Sequence, residues 1–365
     1  MKPRRRLFDY YRQFQELSPE EVSREYRERS EAARSQALTV VPPLDLTSVA
    51  WHEPPHPEVV NAATYALRRA VNAYPDPSAA AVRTALAARH GLPPERIVLG
   101  HGVGELLGTA LGALLGGGGQ VVLPWPTWPP FPVLTARAGG EPVAVPLDGD
   151  AIDLAALDAA VGPETRAILL ASPNDPTGLA LDAGELRAFL RGLPERVVVL
   201  LDEAYADFLD DEATGLALLE EAPSLVVLRS FSKAYAMAGF RVGWAAGGEG
   251  TTELLGALAP NGAVGAAAQA AAVAAVETAD RVLPRRVAAA AAARGALAAA
   301  LAGGPVSFPA GAVANFAWLG SERHDGRELS THLATAKIFV TPGAPYGDER
   351  RVRAALRGPA AVERL

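Results

Sequence analysis

The chain has 365 residues, is 49% hydrophobic and 21% charged, and carries a net charge of −7. That balance describes a soluble globular protein large enough for two domains and argues against a general nucleic-acid binder. It has no cysteine, which excludes disulfides and thiolate metal sites, and its six histidines lack ligand spacing, so no metal site is expected.

The opening MKPRRRLFDYYRQF is basic but has no apolar core of the signal-peptide kind. Residues 1–44 read as a polar helical arm. Ser18-Pro19-Glu20-Glu21 makes a good helix start, with a capping serine, proline at the first helical position and carboxylates at the positive end of the dipole.

From residue 45 the texture changes. RIVLG (96–100), QVVLP (120–124), PVAVPL (142–147), RAILLASPN (166–174), VVVLLDEAY (197–205), SLVVLRS (224–230) and RVGWAAG (241–247) are the strand candidates. Most are continuous apolar runs, as expected of strands buried on both faces. Helical stretches at 105–115, 182–193 and 215–221 fall between them. The alternation predicts an α/β large domain over 45–256 with a mostly parallel central sheet, its ligands beyond the carboxyl ends of the strands. Residues 257–302 are almost wholly helix-forming, with a break expected near Leu283-Pro284. PVSFPAG, ANFAWLG and KIFVTPG, with a helix at about 326–336, predict a smaller α+β domain over 257–365. The alanine-rich stretch at 263–276 is too weakly apolar to span a bilayer, and a cytoplasmic location is expected.

Several strand ends carry residues with chemical use. Lys233, in LRSFSKAYAMAGFRVG, is one of only three lysines, with Lys2 and Lys337. An amine forms a Schiff base with an aldehyde; a guanidinium does not. The bland alternative is a surface lysine after a strand, weakened here by Ser230, Ser232 and Arg241 close by. Gly100-His101-Gly102-Val103-Gly104 follows a strand and opens a helix, a turn that suits a phosphate, although glycine is common at tight turns. Its spacing matches neither the dinucleotide fingerprint nor the P-loop. Trp128, in a proline-rich loop, is equally suited to ring stacking and to core packing. SPNDPTG (172–178) reads at minimum as a turn. Asp202 follows VVVLL, so its carboxylate is expected at the sheet edge with little water, where it requires a cation.

Together, and in this order, the glycine turn, aromatic, NDPTG, DEAY and SFSK with Arg241 resemble the class I/II pyridoxal-phosphate aminotransferases. NAYPDPSAAAVRTALAARHGLPPERIVLGHG is similar to their histidinol-phosphate aminotransferase branch. The resemblance implies an aspartate-aminotransferase-like fold, pyridoxal 5'-phosphate as cofactor, and exchange of an amino group between an amino acid, or amino alcohol phosphate, and a 2-oxo acid. It implies that Lys233 carries the cofactor as a Schiff base, Asp202 pairs with the ring nitrogen and Tyr205 bonds the phenolic oxygen. The turn with Gly102, Val103 and Gly104, together with Ser230, Ser232 and Arg241, is implied to hold the phosphate. Trp128 is implied to stack on the ring, with Asn174 and Asp175 beside it. Arg353, in RVRAALRGP, is implied to clamp a substrate carboxylate; its bland reading is a surface arginine. Tyr74, in YPDP, is implied to reach the phosphate of a neighbouring subunit, and hence a homodimer.

Two residues depart from the branch pattern. Asp175 stands where an asparagine is usual, and an ionised carboxylate cannot donate a hydrogen bond. Thr341 stands where the histidinol-phosphate branch carries an arginine, and WHEPPHP (51–57) replaces an asparagine-rich opening. Asp175 keeps open a decarboxylase or amino acid oxidase on the same scaffold. A ligand-sensing regulator is the reading from another class, and residues 1–44 are too short and too acidic in their second half for a DNA-binding module.

Overall fold

The computed structural model describes residues 27–28, 41–209, 213–259 and 262–365. Two compact units result, Met1–Leu44 and Asp45–Leu365. In the first, Arg27 and Glu28 are helical and exposed; the predicted helix start at Ser18 lies outside the described residues.

The larger unit is built on a seven-stranded sheet. Its strands are β1 (Ile97–Gly100), β2 (Gln120–Trp125), β3 (Glu141–Pro146), β4 (Thr165–Ala171), β5 (Val198–Asp202), β6 (Leu225–Ser230) and β7 (Gly243–Gly247). All seven correspond to apolar runs read from the sequence. Their spatial order is β1-β7-β6-β5-β4-β2-β3. Pairs β2–β3, β2–β4, β4–β5 and β5–β6 are parallel, whereas β7 runs antiparallel to both β6 and β1. Helices are packed on the sheet. Leu106, Leu107, Ala110 and Leu111 of the helix Val103–Leu114 are fully buried against Leu169, Leu200, Val226 and Leu228. Burial on both faces is the reason these strands read as unbroken apolar runs instead of alternating ones.

The long helix Ala266–Leu301 corrects two expectations. It starts at Ala266, with Gly265 at its cap, and it passes through Pro284 without a break. A proline removes one backbone hydrogen bond and crowds the preceding turn. Here both sides of it are anchored, by buried Ala279 and Leu283 before it and Ala290 and Ala293 after it. Arg286 also donates to the carbonyls of Ala234 at 2.6 Å and Pro54 at 3.1 Å. The helix expected over 215–221 is a short 3-10 turn, Gly215–Leu218.

Beyond this helix lies a four-stranded antiparallel sheet of β8 (Val306–Ser307), β9 (Phe316–Ser321), β10 (Thr341–Pro342) and β11 (Arg351–Ala355), in the order β10-β11-β9-β8. The helix Gly326–Thr335 begins on a capping box between Asp325 and Glu328. β11 is a strand that the sequence reading passed over. Val352 and Ala354 alternate inward with no exposure, and Arg353 lies on the opposite face.

Just past the end of β5 Glu203 is buried and ion-paired with buried Arg229, whose Nη2 lies 2.9 Å away. It also accepts from the Gly215 amide. Removing one member of a buried pair leaves an uncompensated charge. Glu203→Ala is expected to destabilise the fold by about 3–5 kcal/mol, measured as a lower urea midpoint at unchanged slope.

Candidate active site

One cavity of about 360 Å³ collects the ends of β4, β5 and β6, the start of the helix Val103–Leu114, and a wall from β11. Of the residues singled out from sequence, Val103, Gly104, Trp128, Asp175, Asp202, Tyr205, Ser230, Ser232, Lys233, Arg241 and Arg353 all line it. They come from seven separate stretches of chain.

The strand register produces the convergence. Ala171 pairs with Asp202, Asp202 with Leu228, and Ser230 with Gly243, which also pairs with Gly100. At Gly243 a Cβ would stand 2.9 Å from the Arg229 carbonyl and 3.0 Å from the Gly102 Cα. Only glycine therefore lets the Gly100–Gly104 turn lie so close to the end of β6. Gly102 has φ 94° and leads into the helix, and a Cβ there would meet Arg241 Nη2 at 2.9 Å.

That turn, the serines and Arg241 form a cradle of donors. The first amides of a helix have no partner within the helix and carry the positive end of its dipole. The Ser232 amide donates to Ser230 Oγ at 3.0 Å. Arg241, itself in the left-handed region at φ 53°, sends Nη1 to the Ala238 carbonyl at 3.0 Å and toward Ser232 Oγ at 3.5 Å. An anion with several oxygens fits this set of donors.

Asp202 and Lys233 form the second group. Asp202 is buried and accepts only from the Ala204 amide, at 2.9 Å, among the described residues. Burial pushes its carboxyl up to about 7 against that hydrogen bond and the attraction of Lys233. The Lys233 ammonium stands 4.7 Å above the Tyr205 ring centre. Burial draws it down to about 8, opposed by the attraction of Asp175.

Asp175 and Arg353 form the third. Arg353 Nη1 donates to both Asp175 oxygens, at 2.7 and 2.6 Å. The Tyr205 hydroxyl donates to Asp175 Oδ2 at 3.2 Å. The guanidinium lies 5.6 Å from the Phe316 ring centre and 5.2 Å from that of Tyr346. Burial opposes its charge, and the Asp175 carboxylate more than offsets this, holding it above the ordinary arginine value. Burial raises the Tyr205 hydroxyl far above its usual value, with Asp175 adding to the effect. Arg353 is thus no surface residue: it is 8% exposed.

Three residues stand apart. Asn174 does not line the cavity. Its amide accepts from Thr127 Oγ1 at 2.8 Å and donates to the Pro126 carbonyl at 3.2 Å, fastening two loops together. Gly102 adjoins the cavity without lining it. Tyr74 is fully exposed in the single chain. Conversely, Thr47, Ser48, Val49 and Ala50 line the cavity, and Phe316 and Tyr346 sandwich Arg353, none of which the sequence reading singled out. No motif spacing marks the first four; the alternation in ANFAWLG was the available sign for Phe316.

A profile of the family described as aminotransferase class I and II matches residues 44–365. The chain belongs to this family. Over 141 residues it is 44% identical to an aromatic amino acid aminotransferase of Thermobifida fusca, a stretch covering 39% of each chain. The chain thus matches well under half the length of that curated relative. A histidinol-phosphate aminotransferase from Sinorhizobium meliloti, solved in complex with pyridoxal-5'-phosphate, superposes with a TM-score of 0.77 at 28% identity, covering 88% of both chains. An aspartate aminotransferase from Thermotoga maritima shares the fold, with a TM-score of 0.79 at 22% identity over 94% of this chain and 95% of its own. The fold is therefore aspartate-aminotransferase-like, with a mostly parallel central sheet and a smaller sheet region. Among the described residues no helix is long and apolar enough to cross a membrane, and no cluster of metal-ligating side chains occurs.

The family is dependent on pyridoxal phosphate, and the cavity fits that group on its own chemistry. A cradle of donors suits a phosphate, and a buried carboxylate with no contacting cation among the described residues suits a protonated ring nitrogen. Lys233 supplies an amine of lowered basicity.

The two shifted groups make the stability of the cofactor-free protein depend on pH with opposite signs. Asp202 is raised from 3.8 to about 7. Between those values the folded state holds a proton the unfolded chain has released, so stability falls as pH rises through that window. Lys233 is lowered from 10.5 to about 8. Between about 8 and 10.5 the unfolded chain holds the extra proton, so stability rises. Urea unfolding across pH is expected to show both slopes, with Asp202→Asn flattening the acidic one and Lys233→Met the alkaline one.

Proposed function

We propose that this chain is a pyridoxal-phosphate-dependent aminotransferase that moves an amino group from a donor amine to an oxo acceptor. The observation that carries the reading is one cavity containing a buried lysine of lowered basicity, an uncompensated buried carboxylate and a donor-rich cradle. When bound, the cofactor supplies an electron sink for the carbon next to the substrate amine.

In this reading Ser230, Ser232, Arg241 and the amides of Val103 and Gly104 hold the phosphate. Asp202 faces the ring nitrogen and keeps it protonated. Tyr205 serves the phenolic oxygen, and Trp128 packs against the ring. Lys233 would hold the cofactor and, once freed by the incoming amine, would take the proton from the substrate carbon and return it to the cofactor's aldehyde carbon on the far side of the nitrogen. A base with a pKa near 8 is neutral often enough at ordinary pH to accept that proton and acidic enough to give it back. Arg353, on the wall supplied by β11, meets the substrate.

The similarity to an aromatic amino acid aminotransferase and a histidinol-phosphate aminotransferase supports transamination over decarboxylation or oxidation. The division into a cofactor-holding region, 45–256, and a smaller one, 257–365, is part of the same proposal, supported by the separate four-stranded sheet after the long helix. The composition and the absence of a membrane-spanning helix among the described residues support a cytoplasmic location.

A second copy of the chain is part of this proposal. Val60, Leu67 and Val71 are exposed at helical spacing on the helix Pro57–Ala70 and the residue after it, and Tyr74 is exposed in the turn that follows. An exposed apolar stripe of this kind suits an association surface, with Tyr74 reaching the partner's site. Light scattering is expected to give a dimer, and Val71→Asp with Tyr74→Asp a monomer of native secondary structure; a monomeric wild type discards the homodimer.

Purified wild type is expected to carry visible cofactor absorbance that donor amines bleach. Lys233→Ala should lack that band and lose at least 1,000-fold in turnover, because both the anchor and the proton carrier are gone. A wild type that takes up no cofactor at micromolar concentration discards the proposal.

A further inference from the structure

The cation that meets the substrate is already partnered. Arg353 Nη1 donates to both oxygens of Asp175, at 2.7 and 2.6 Å, and the two side chains line the same cavity. The pair is 8% and 5% exposed. It is held from three sides, by the rings of Phe316 and Tyr346 against the guanidinium and by the Tyr205 hydroxyl on Asp175. Asp175 leaves the end of β4 and Arg353 belongs to β11, so an element of each sheet contributes one charge.

An arriving substrate carboxylate has two ways to use Arg353. It displaces Asp175, which leaves a buried carboxylate without its cation, or it binds beside Asp175, where the arginine's charge is already matched and the neighbouring charge is negative. Both are unfavourable, the first through desolvation and the second through like-charge repulsion. A neutral group on the reacting carbon meets neither penalty. An asparagine at 175 would preserve the size and a hydrogen bond to Arg353 while leaving its charge free.

Building on the aminotransferase reading, we propose that Asp175 is a specificity-determining residue. It occupies Arg353 as an internal carboxylate, so the site prefers primary amines bearing a neutral group on the reacting carbon over α-amino acids. The same exclusion applies to the oxo acceptor. An aldehyde or ketone is preferred to the matching 2-oxo acid.

Two measurements on the cofactor-loaded protein test this. In the first, cofactor bleaching is followed with paired donors that differ by the carboxyl group alone: phenylalanine and 2-phenylethylamine, histidine and histamine, alanine and ethylamine. Wild type is expected to react at least tenfold faster with the amine of the pair it accepts best. Asp175→Asn is expected to shift that ratio at least tenfold toward the amino acid. In the second, an unreactive carboxylate, 3-phenylpropionate, is titrated calorimetrically into wild type, Asp175→Asn and Asp175→Asn/Arg353→Gln. Affinity is expected to rise at least tenfold in the single variant and to fall back in the double.

Equal carboxylate affinity in wild type and Asp175→Asn, or a wild type that favours the amino acid of each pair, overturns the proposal. Should the Asn variant not fold, the wild-type donor ratio decides alone. A wild type without cofactor absorbance discards the aminotransferase reading, but the carboxylate titration needs no turnover and still decides what Asp175 does to Arg353.

Discussion

The register of three neighbouring parallel strands is the constraint from which the site follows. With Ala171 opposite Asp202 and Asp202 opposite Leu228, the chains leaving β4, β5 and β6 emerge side by side. They carry Asp175, Tyr205 and Lys233 into one cavity. A one-residue slip would turn every side chain of a strand to the other face, and both faces here are closed by packing. The same apolar burial that fixes the register therefore also places the polar ends. The antiparallel β7 completes the arrangement, since Gly243 brings the Gly100–Gly104 turn against Ser230.

Two consecutive acidic residues show how position divides structure from chemistry. Glu203 is buried with Arg229 and the Gly215 amide as partners; its charge is compensated within the protein. Asp202, one residue earlier, is buried with a single amide for company among the described residues. Asp202 lines the cavity and Glu203 does not, and only the one in the cavity is left as a carboxylate needing a cation. The Asp202 carboxyl and Lys233 ammonium are displaced toward each other on the pH scale by the same burial.

The smaller sheet contributes one residue to the cavity, and that residue is Arg353. It is held by aromatic rings from the same region and by Asp175 from the large sheet. The departure at Asp175 therefore acts on the one arginine of the smaller sheet that lines the cavity as well as on the hydroxyl of Tyr205. Thr341, the other departure, sits in β10 opposite Arg353 and donates its hydroxyl to the Thr47 carbonyl, close to a segment that also lines the cavity.

Much of this was legible in the sequence. Every strand of the central sheet was an apolar run, because burial on both faces leaves that mark whatever the neighbours are. Lys233 stood out because lysine is scarce in this chain, and Asp202 because it closes a strongly apolar strand. The helix through Pro284 was not legible, since what holds it is the burial of its flanks and the reach of Arg286 to Ala234 and Pro54. Asn174 looked as fit for the cavity as Asp175, and only packing sent one inward to Thr127 and the other to Arg353. The sequence by itself determined the strands and set Lys233 and Asp202 at strand ends, because these follow from local composition; a cofactor role for either came from the resemblance. Which charges meet was decided by tertiary structure alone: Asp175 and Arg353 lie 178 residues apart, and no local pattern encodes a contact that two separate sheets must close.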